Sequence, residues 1–393
     1  MNMRLLPEIA QAAEDMAQLR RDIHAHPELG FEELRTSDLV AARLTEWGIP
    51  IHRDMAQTAV IGVVHGRDGG ACGRAIGLRA DMDALHIHEA NGFDHKSRNN
   101  GKMHACGHDG HTTMLLGAAR YLTEAGKFKG TVHFIFQPAE ENEGGGRKMV
   151  EQGLFKLFPV KQVYGMHNWP GMPVGTFAVR PGPMMAASDK IEIVVRGKGS
   201  HAAMPHTGID PVVISAQIVT ALQTIASRSV HPVDASVISI TQIHAGDTWN
   251  VIPAEVVLRG TVRSFRPEVR DALEPAIRRI AEGIAKAHNA TASVWYERGY
   301  PPTVNTAEEA EIAARTAIDV VGETNVDRNP TPTMGGEDFA FMLEQKPGCY
   351  IWIGNGPGDN ERVLHSPHYD FNDEILPIGA SYWARLVETT LPA

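Results

Sequence analysis

Apolar positions recur with two different periods along this chain. Over residues 8 to 25 and 32 to 47 they return every three to four residues, the spacing of amphipathic helices. Ala59-Val60-Ile61-Gly62-Val63-Val64 and Ala75-Ile76-Gly77-Leu78-Arg79 are instead short, nearly continuous apolar runs, which suit buried strands. A helix through Thr112–Ala119 leads to another such run at Thr131–Phe136, and a further one follows at Gln162–Met166. Strands separated by helices predict an α/β fold, with a mixed, largely parallel sheet flanked by helices and functional groups gathered where strands end. Asp81, Asp83, Glu140, Glu141 and His167 all stand just beyond these runs.

The pattern changes at Arg180-Pro181-Gly182-Pro183, a natural hinge. Beyond it Lys190–Arg196 alternates like a half-exposed strand, and Asp210-Pro211 opens a helix to about Ser227, with proline at the tolerated first position. Strands are predicted at 236–244 and 255–264, a helix at 267–288 and a strand at Thr291–Trp295. That βαββαβ order suits a ferredoxin-like α+β unit, an antiparallel sheet backed by two helices. The α/β pattern resumes after Pro301-Pro302. The expected organisation is therefore a discontinuous domain, 1–183 and 300–393, interrupted by an inserted lid or dimerisation domain, 184–299.

Composition narrows the setting. At 393 residues and 43% hydrophobic the chain can bury large cores, in two domains or in one large, elaborated one. Its three cysteines, an odd number, argue against a disulfide framework and for a reducing compartment. Residues 1–20 lack the apolar core of a signal peptide, and no run approaches the length of a membrane span. A formal charge of −10 leaves no basic footprint for nucleic acid. The expectation is a cytoplasmic protein with neither a nucleic-acid nor a membrane partner.

The densest chemistry is Met103-His104-Ala105-Cys106-Gly107-His108-Asp109-Gly110-His111. Cys106 and His108, two apart, can converge on one ion, and thiolate with imidazole favours a borderline-soft cation such as zinc. Asp109 is expected to cap the following helix or to orient a ligand, and the helix N-terminus to lower the Cys106 pKa. A lone histidine on an apolar face is usually core. Five ligand-type residues within nine positions make that explanation poor here, although His104 and His111 read as structural. The tandem Glu140-Glu141 adds a second element. Adjacent residues leaving a strand point to opposite sides, so one carboxylate can bind a metal while its neighbour takes a proton from water. The bland alternative is a solvated acidic turn before the glycines at 144–146.

Arg79-Ala80-Asp81-Met82-Asp83-Ala84-Leu85, the Met103–His111 cluster, Gln137-Pro138-Ala139-Glu140-Glu141, Gly165-Met166-His167-Asn168, Gly199–His206, Asn250-Val251-Ile252-Pro253 and Gly335-Gly336-Glu337-Asp338-Phe339 together resemble the M20 metallopeptidase and aminoacylase superfamily. They run in the family's order over nearly the whole chain, and the cysteine resembles its amidohydrolase branch. Two features depart from the common pattern: Asp81-Met82-Asp83 replaces a His-x-Asp pair, and His86 follows Ala84-Leu85 where proline is frequent.

The resemblance implies two divalent metal ions per subunit, zinc, manganese, nickel or cobalt. It implies as ligands Cys106, His108, Glu141, His167 and His365, with His368 the alternative for the last. Glu140 would be the general base and His201, from the inserted domain, the oxyanion stabiliser. Asp83 would assist catalysis by tuning the base, and Asp81 and Asp109 would support the ligands; either Asp81 or Asp83 can also coordinate directly. Asn250, Arg263 and Gly336 would hold the substrate. The implied activity is hydrolysis of N-acyl amino acids, hippurate-like or N-acetylated, by a homodimer joined through the inserted domain. A dipeptidase or a deacetylase of an N-acetylated intermediate would share the scaffold. A non-catalytic metal- or ligand-binding protein would not need Glu140 beside Glu141.

Overall fold

In the computed structural model, which describes residues 3–141, 143–357 and 362–393, the continuous apolar runs become the centre of one sheet. The chain forms β1 (Ile51–His52), β2 (Val60–His65), β3 (Ala75–Asp81), β4 (Thr131–Gln137), β5 (Gln162–Trp169) and β6 (Phe177–Ala178). It continues with β7 (Ala187–Arg196), β8 (Ser236–His244), β9 (Glu255–Ser264) and β10 (Thr291–Tyr300), and ends its strands with β11 (Val326–Asp327) and β12 (Gly348–Gly354). Helices used below are α1 (Ala13–Ala25), α2 (Leu34–Glu46), α3 (His108–Glu124), α4 (Pro211–Thr224), α5 (Pro267–Ala287), α6 (Ala307–Val321) and α7 (Leu376–Thr390).

The larger sheet has the order β1-β2-β4-β3-β5-β12-β6-β11. Its central strands β4, β3, β5 and β12 are mutually parallel, while β1, β2 and the β12/β6 pair are antiparallel. The fold is thus the mixed, largely parallel α/β sheet expected. Parallel strands need cover on both faces, which is why β3, β4 and β5 are buried almost throughout instead of alternating. Because they run the same way, their C-terminal ends emerge at one edge. That edge collects Asp81, the turn after Gln137, and His167.

Two compact units result: Met1–Met184 with Val304–Thr331 and Asp338–Ala393, and Met185–Thr303 with Pro332–Glu337. The second is a four-stranded antiparallel sheet, β8-β9-β7-β10, backed by α4 and α5 around its own core of Ile191, Ile193, Leu222, Leu258 and Leu273. Asp210 caps α4 by accepting from the Val212 and Val213 N–H groups, with Pro211 in the first turn. This α4 stops at Thr224 and its last turn widens into a π-helix to Ser229. The helix expected from residue 8 is interrupted at Ala12, and the strand at 291 runs on to Tyr300. Strands β6 and β11 escape the sequence reading because two residues carry no period. Among the described residues no helix is long and apolar enough to cross a membrane.

Helix α3 packs against α1 and α7, and Gly110 makes room for the Phe371 ring there. A β-carbon at Gly110 would stand 2.1 Å from the Phe371 Cε2 atom. Gly110→Ala is expected to destabilise the protein by about 1–3 kcal/mol through overpacking, read as a lower urea midpoint; an unchanged midpoint would mean that Phe371 can move aside.

Candidate metal centre

Three strand ends and one helix start bring the donors together. The ligand-type atoms of Cys106, His108 and His167 lie within 4.8 Å of one another; so do those of Cys106, Glu141 and His365, and those of His108, Glu140 and Glu141. His365 therefore belongs to the cluster, whereas His368 is in none of the groups found among the described residues. The His365 N–H donates to the Ala105 carbonyl at 2.8 Å, and its Nε2 is 3.1 Å from Glu141 Oε1.

Each imidazole is turned by a neighbour. His108 Nδ1 is 3.2 Å from Asp83 Oδ1, which leaves its buried Nε2 with no hydrogen-bond partner. His167 Nδ1 donates to the Asn168 carbonyl at 2.6 Å, and its Nε2 lies 3.3 Å from Cys106 Sγ. His111 differs, because Asp81 Oδ1 holds its Nδ1 at 2.6 Å and the Asn168 N–H donates to its Nε2 at 3.0 Å. Both its nitrogens are thus engaged, although its donor atoms also lie within 4.8 Å of those of Asp81 and His108. His104 is buried with neither nitrogen paired, and burial pushes its pKa down to about 4, so it sits there neutral.

The acids behind the donors are also engaged. Asp81 is gripped by His111 and by Arg79 Nη1 at 2.5 Å. Asp83 Oδ1 accepts from the Glu140 N–H at 3.0 Å and Oδ2 from the Glu141 N–H at 2.9 Å. Asp83 therefore stands behind His108 and fixes the turn that carries Glu140 and Glu141.

Electrostatics favour a cation. Burial pushes the Cys106 thiol well above its usual range, and Glu141, Glu140 and Asp81 push the same way. Burial opposes a charged His108, yet Asp81 and Asp83 outweigh it and raise this imidazole to about 10. Burial, with His111 beside it, holds His167 well below its ordinary value and so neutral. The carboxylates thus resist a thiolate and attract positive charge. A thiol, three imidazoles and a carboxylate around an orphaned Nε2 fit divalent ions of the zinc type.

The Peptidase family M20/M25/M40 model matches residues 77–389. The chain belongs to this family. It is 40% identical over 384 residues to a hippurate hydrolase of Campylobacter jejuni, covering 98% of each chain. It is 41% identical over 380 residues to an N-acetylcysteine deacetylase of Bacillus subtilis, covering 96% of this chain and 97% of that one. A Bacillus subtilis crystal structure described as a dinuclear metal-binding peptidase of the M20 family superposes with a TM-score of 0.84 at 36% identity, over 97% and 99% of the two chains.

Three local expectations for this M20 chain are corrected. Helix α3 is capped by Gly107, not by Asp109: Gly107 has φ 97°, and a β-carbon there would meet Asn168 Nδ2 at 2.2 Å. Asp109 is fully buried and turns to His24 Nδ1 at 2.8 Å and Arg20 Nη1 at 3.5 Å, because a desolvated carboxylate needs cationic partners more than a helix needs its cap. The helix terminus does not lower the Cys106 pKa, since burial and three carboxylates outweigh a dipole. Nor do Glu140 and Glu141 diverge. They lie in a turn three residues past the end of β4, after Ala139 at φ 54°, and both reach His108.

The other expected site residues lie in the second unit. His201 is exposed in a short strand paired with Val251, its Nδ1 accepting from the Ala203 N–H at 3.1 Å. Asn250 is exposed, and its carbonyl accepts from the Ala202 N–H. Arg263 on β9 is half-buried beside Thr261, and Gly336 packs close to Ser188 Cβ, 3.0 Å from where its own β-carbon would be. Asn168, which donates to the Cys106 carbonyl, and Asp338, which accepts from Gln137 and from the Gly146 N–H, carry no local signal of a role although both stand in the matching motifs. Arg79, which binds Gln137, Asp81 and Asp338, was legible as a charge ending an apolar strand.

With the Cys106 thiol pushed up and His108 raised to about 10, both keep their protons at pH 7, so if both bind metal, zinc is expected to release about two protons per subunit. Lower pH favours the protonated ligands, so apparent affinity should weaken as pH falls. Titration calorimetry in buffers of different ionisation enthalpy measures this, and metal uptake without proton release would contradict the ligand set.

Proposed function

We propose that this chain is a metal-dependent amidohydrolase that cleaves N-acyl amino acids to a carboxylic acid and a free amino acid. The observation that carries the reading is the Glu140-Glu141 turn: two adjacent carboxylates, both within 4.8 Å of His108, at a cluster rich in metal donors. A binding protein has use for one of them. A hydrolase has use for both, one as ligand and one as base.

In this reading Cys106, His108, Glu141, His167 and His365 hold two divalent ions. When bound, such ions polarise a substrate carbonyl and lower the pKa of water. Glu140 takes the proton of the attacking water and returns it to the leaving nitrogen. Its reach is set by Asp83, which holds its backbone N–H, and by the Asp338 N–H, 3.4 Å from Glu140 Oε1. On the family resemblance, His201 stabilises the developing oxyanion, Asn250 and Arg263 hold the substrate carboxylate, and Gly336 lets backbone approach the substrate.

Relatives named for hippurate and for N-acetylcysteine support an N-acyl amino acid as substrate class, with the acyl group open among aryl and acetyl. Others named carboxypeptidase keep peptides as the second reading. We also propose that the second unit pairs two copies through β8, the edge of its sheet. Ile243 is largely exposed on that edge, and Trp249 and Val251 stand exposed in the segment that follows.

Glu140→Gln is expected to lower kcat by about 10²–10⁴-fold while the protein keeps its metal. Turnover is read by mass spectrometry on hippurate, N-acetyl amino acids and dipeptides; undiminished turnover would remove Glu140 from the mechanism. Ile243→Glu should shift the mass in light scattering from dimer to monomer, and a wild-type monomer would refute the pairing.

A further inference from the structure

One buried acid is left over by the metal centre. Glu33 stands at the N-cap position of α2 but makes no capping bond. Glu28 does that work, accepting from the Arg35 N–H at 3.0 Å and the Thr36 N–H at 2.8 Å. The Glu33 carboxylate turns inward instead and is 0% exposed. Its Oε2 accepts from the Thr58 hydroxyl at 2.6 Å, and its Oε1 from the Ala139 N–H at 2.8 Å.

Ala139 is the residue on which the Glu140-Glu141 turn pivots. It has φ 54°, a left-handed conformation uncommon for a residue with a β-carbon, and it is completely buried. Such a conformation persists only where its surroundings hold it. The Ala139 carbonyl accepts from the Gly145 N–H at 2.9 Å, while the next two N–H groups, of Glu140 and Glu141, go to Asp83. Three successive backbone donors are therefore taken by two buried carboxylates from distant segments. The fit is close: a β-carbon on Gly30 would stand 3.0 Å from Ala139 Cβ.

We infer that Glu33 is a positioning residue for the Glu140-Glu141 turn, clamping Ala139 while Asp83 clamps the two glutamates, so that both carboxylates reach the metal donors. The inference rests on the proposed roles of those glutamates. Glu33 itself is in none of the metal-donor groups, and it acts through the backbone.

The test compares Glu33→Ala, Glu33→Gln and Leu44→Ala, with metal-loaded protein. Leu44 is a buried α2 residue that destabilises the same helix without touching the turn. Glu33→Ala should lower kcat about 10–100-fold with KM little changed, weaken cobalt binding about tenfold or more, and alter the visible spectrum of the cobalt protein. Glu33→Gln should restore all three, because its amide oxygen can accept from Ala139 while its nitrogen donates to Thr58. Leu44→Ala should lower Tm but keep kcat and the cobalt spectrum. Wild-type kcat and cobalt spectrum in Glu33→Ala, or an equal loss of kcat in Leu44→Ala, would overturn the clamp. If Glu33→Ala does not fold, Glu33→Asp, too short to reach Ala139, takes its place with the same two outcomes. Should wild type hydrolyse none of the panel, the proposed activity fails, and cobalt affinity and spectrum still decide the clamp.

Discussion

The site depends on the Asp83 carboxylate. It leaves the end of a central strand, turns His108 through Nδ1, and binds the N–H groups of both Glu140 and Glu141. A desolvated carboxylate is costly unless both its oxygens are hydrogen-bonded, and hydrogen bonds to a charged acceptor are the stronger kind. Asp83 meets that demand with groups that all belong to the metal centre. Satisfying the buried acid and assembling the site are one event.

Parallel topology makes this arrangement possible. Strands β3, β4 and β5 are neighbours in the sheet, so segments separated by dozens of residues end side by side. Asp81 and Asp83 come from one end, Glu140 and Glu141 from the next, and His167 from the third. Helix α3 starts at the same edge and supplies His108, with Cys106 just before it. The seven-residue run of β12 continues the parallel set beyond β5, and the chain that follows it carries His365.

This topology also explains what was legible beforehand. Cys106, His108 and the tandem glutamates declare themselves, because thiol, imidazole and paired acids are rarely spent so close together on packing. The alternation of helix and strand, and the βαββαβ insert, follow from period alone. What local pattern cannot carry is the partner. Asp109 looks like a helix cap until His24 and Arg20, more than eighty residues earlier, are seen to hold it. Glu33 looks like an ordinary residue at the start of a helix until Ala139 arrives against it. The misjudged Cys106 has the same origin: a dipole is local and visible in sequence, whereas burial and three carboxylates from two distant segments are not.

Charge balance links the centre to the stability of the whole unit. Arg79 is buried between Asp81 and Asp338, so one guanidinium stands against two acids. Asp83 and the pair Glu140 and Glu141 add further carboxyl groups beside the same donors, and His108, raised to about 10, answers with positive charge. Without a metal, then, the native state holds protons on Cys106 and His108 to offset that field. Divalent ions held by Cys106 and His108 would replace those protons with greater charge and draw on the same lone pairs, so metal binding would add to folding free energy. A cluster whose acids are pinned by Arg79, His111 and backbone N–H groups cannot relax outward to escape the repulsion. Its rigidity makes it selective for a cation, and the same rigidity keeps Glu140 at a fixed reach from the water it is proposed to deprotonate.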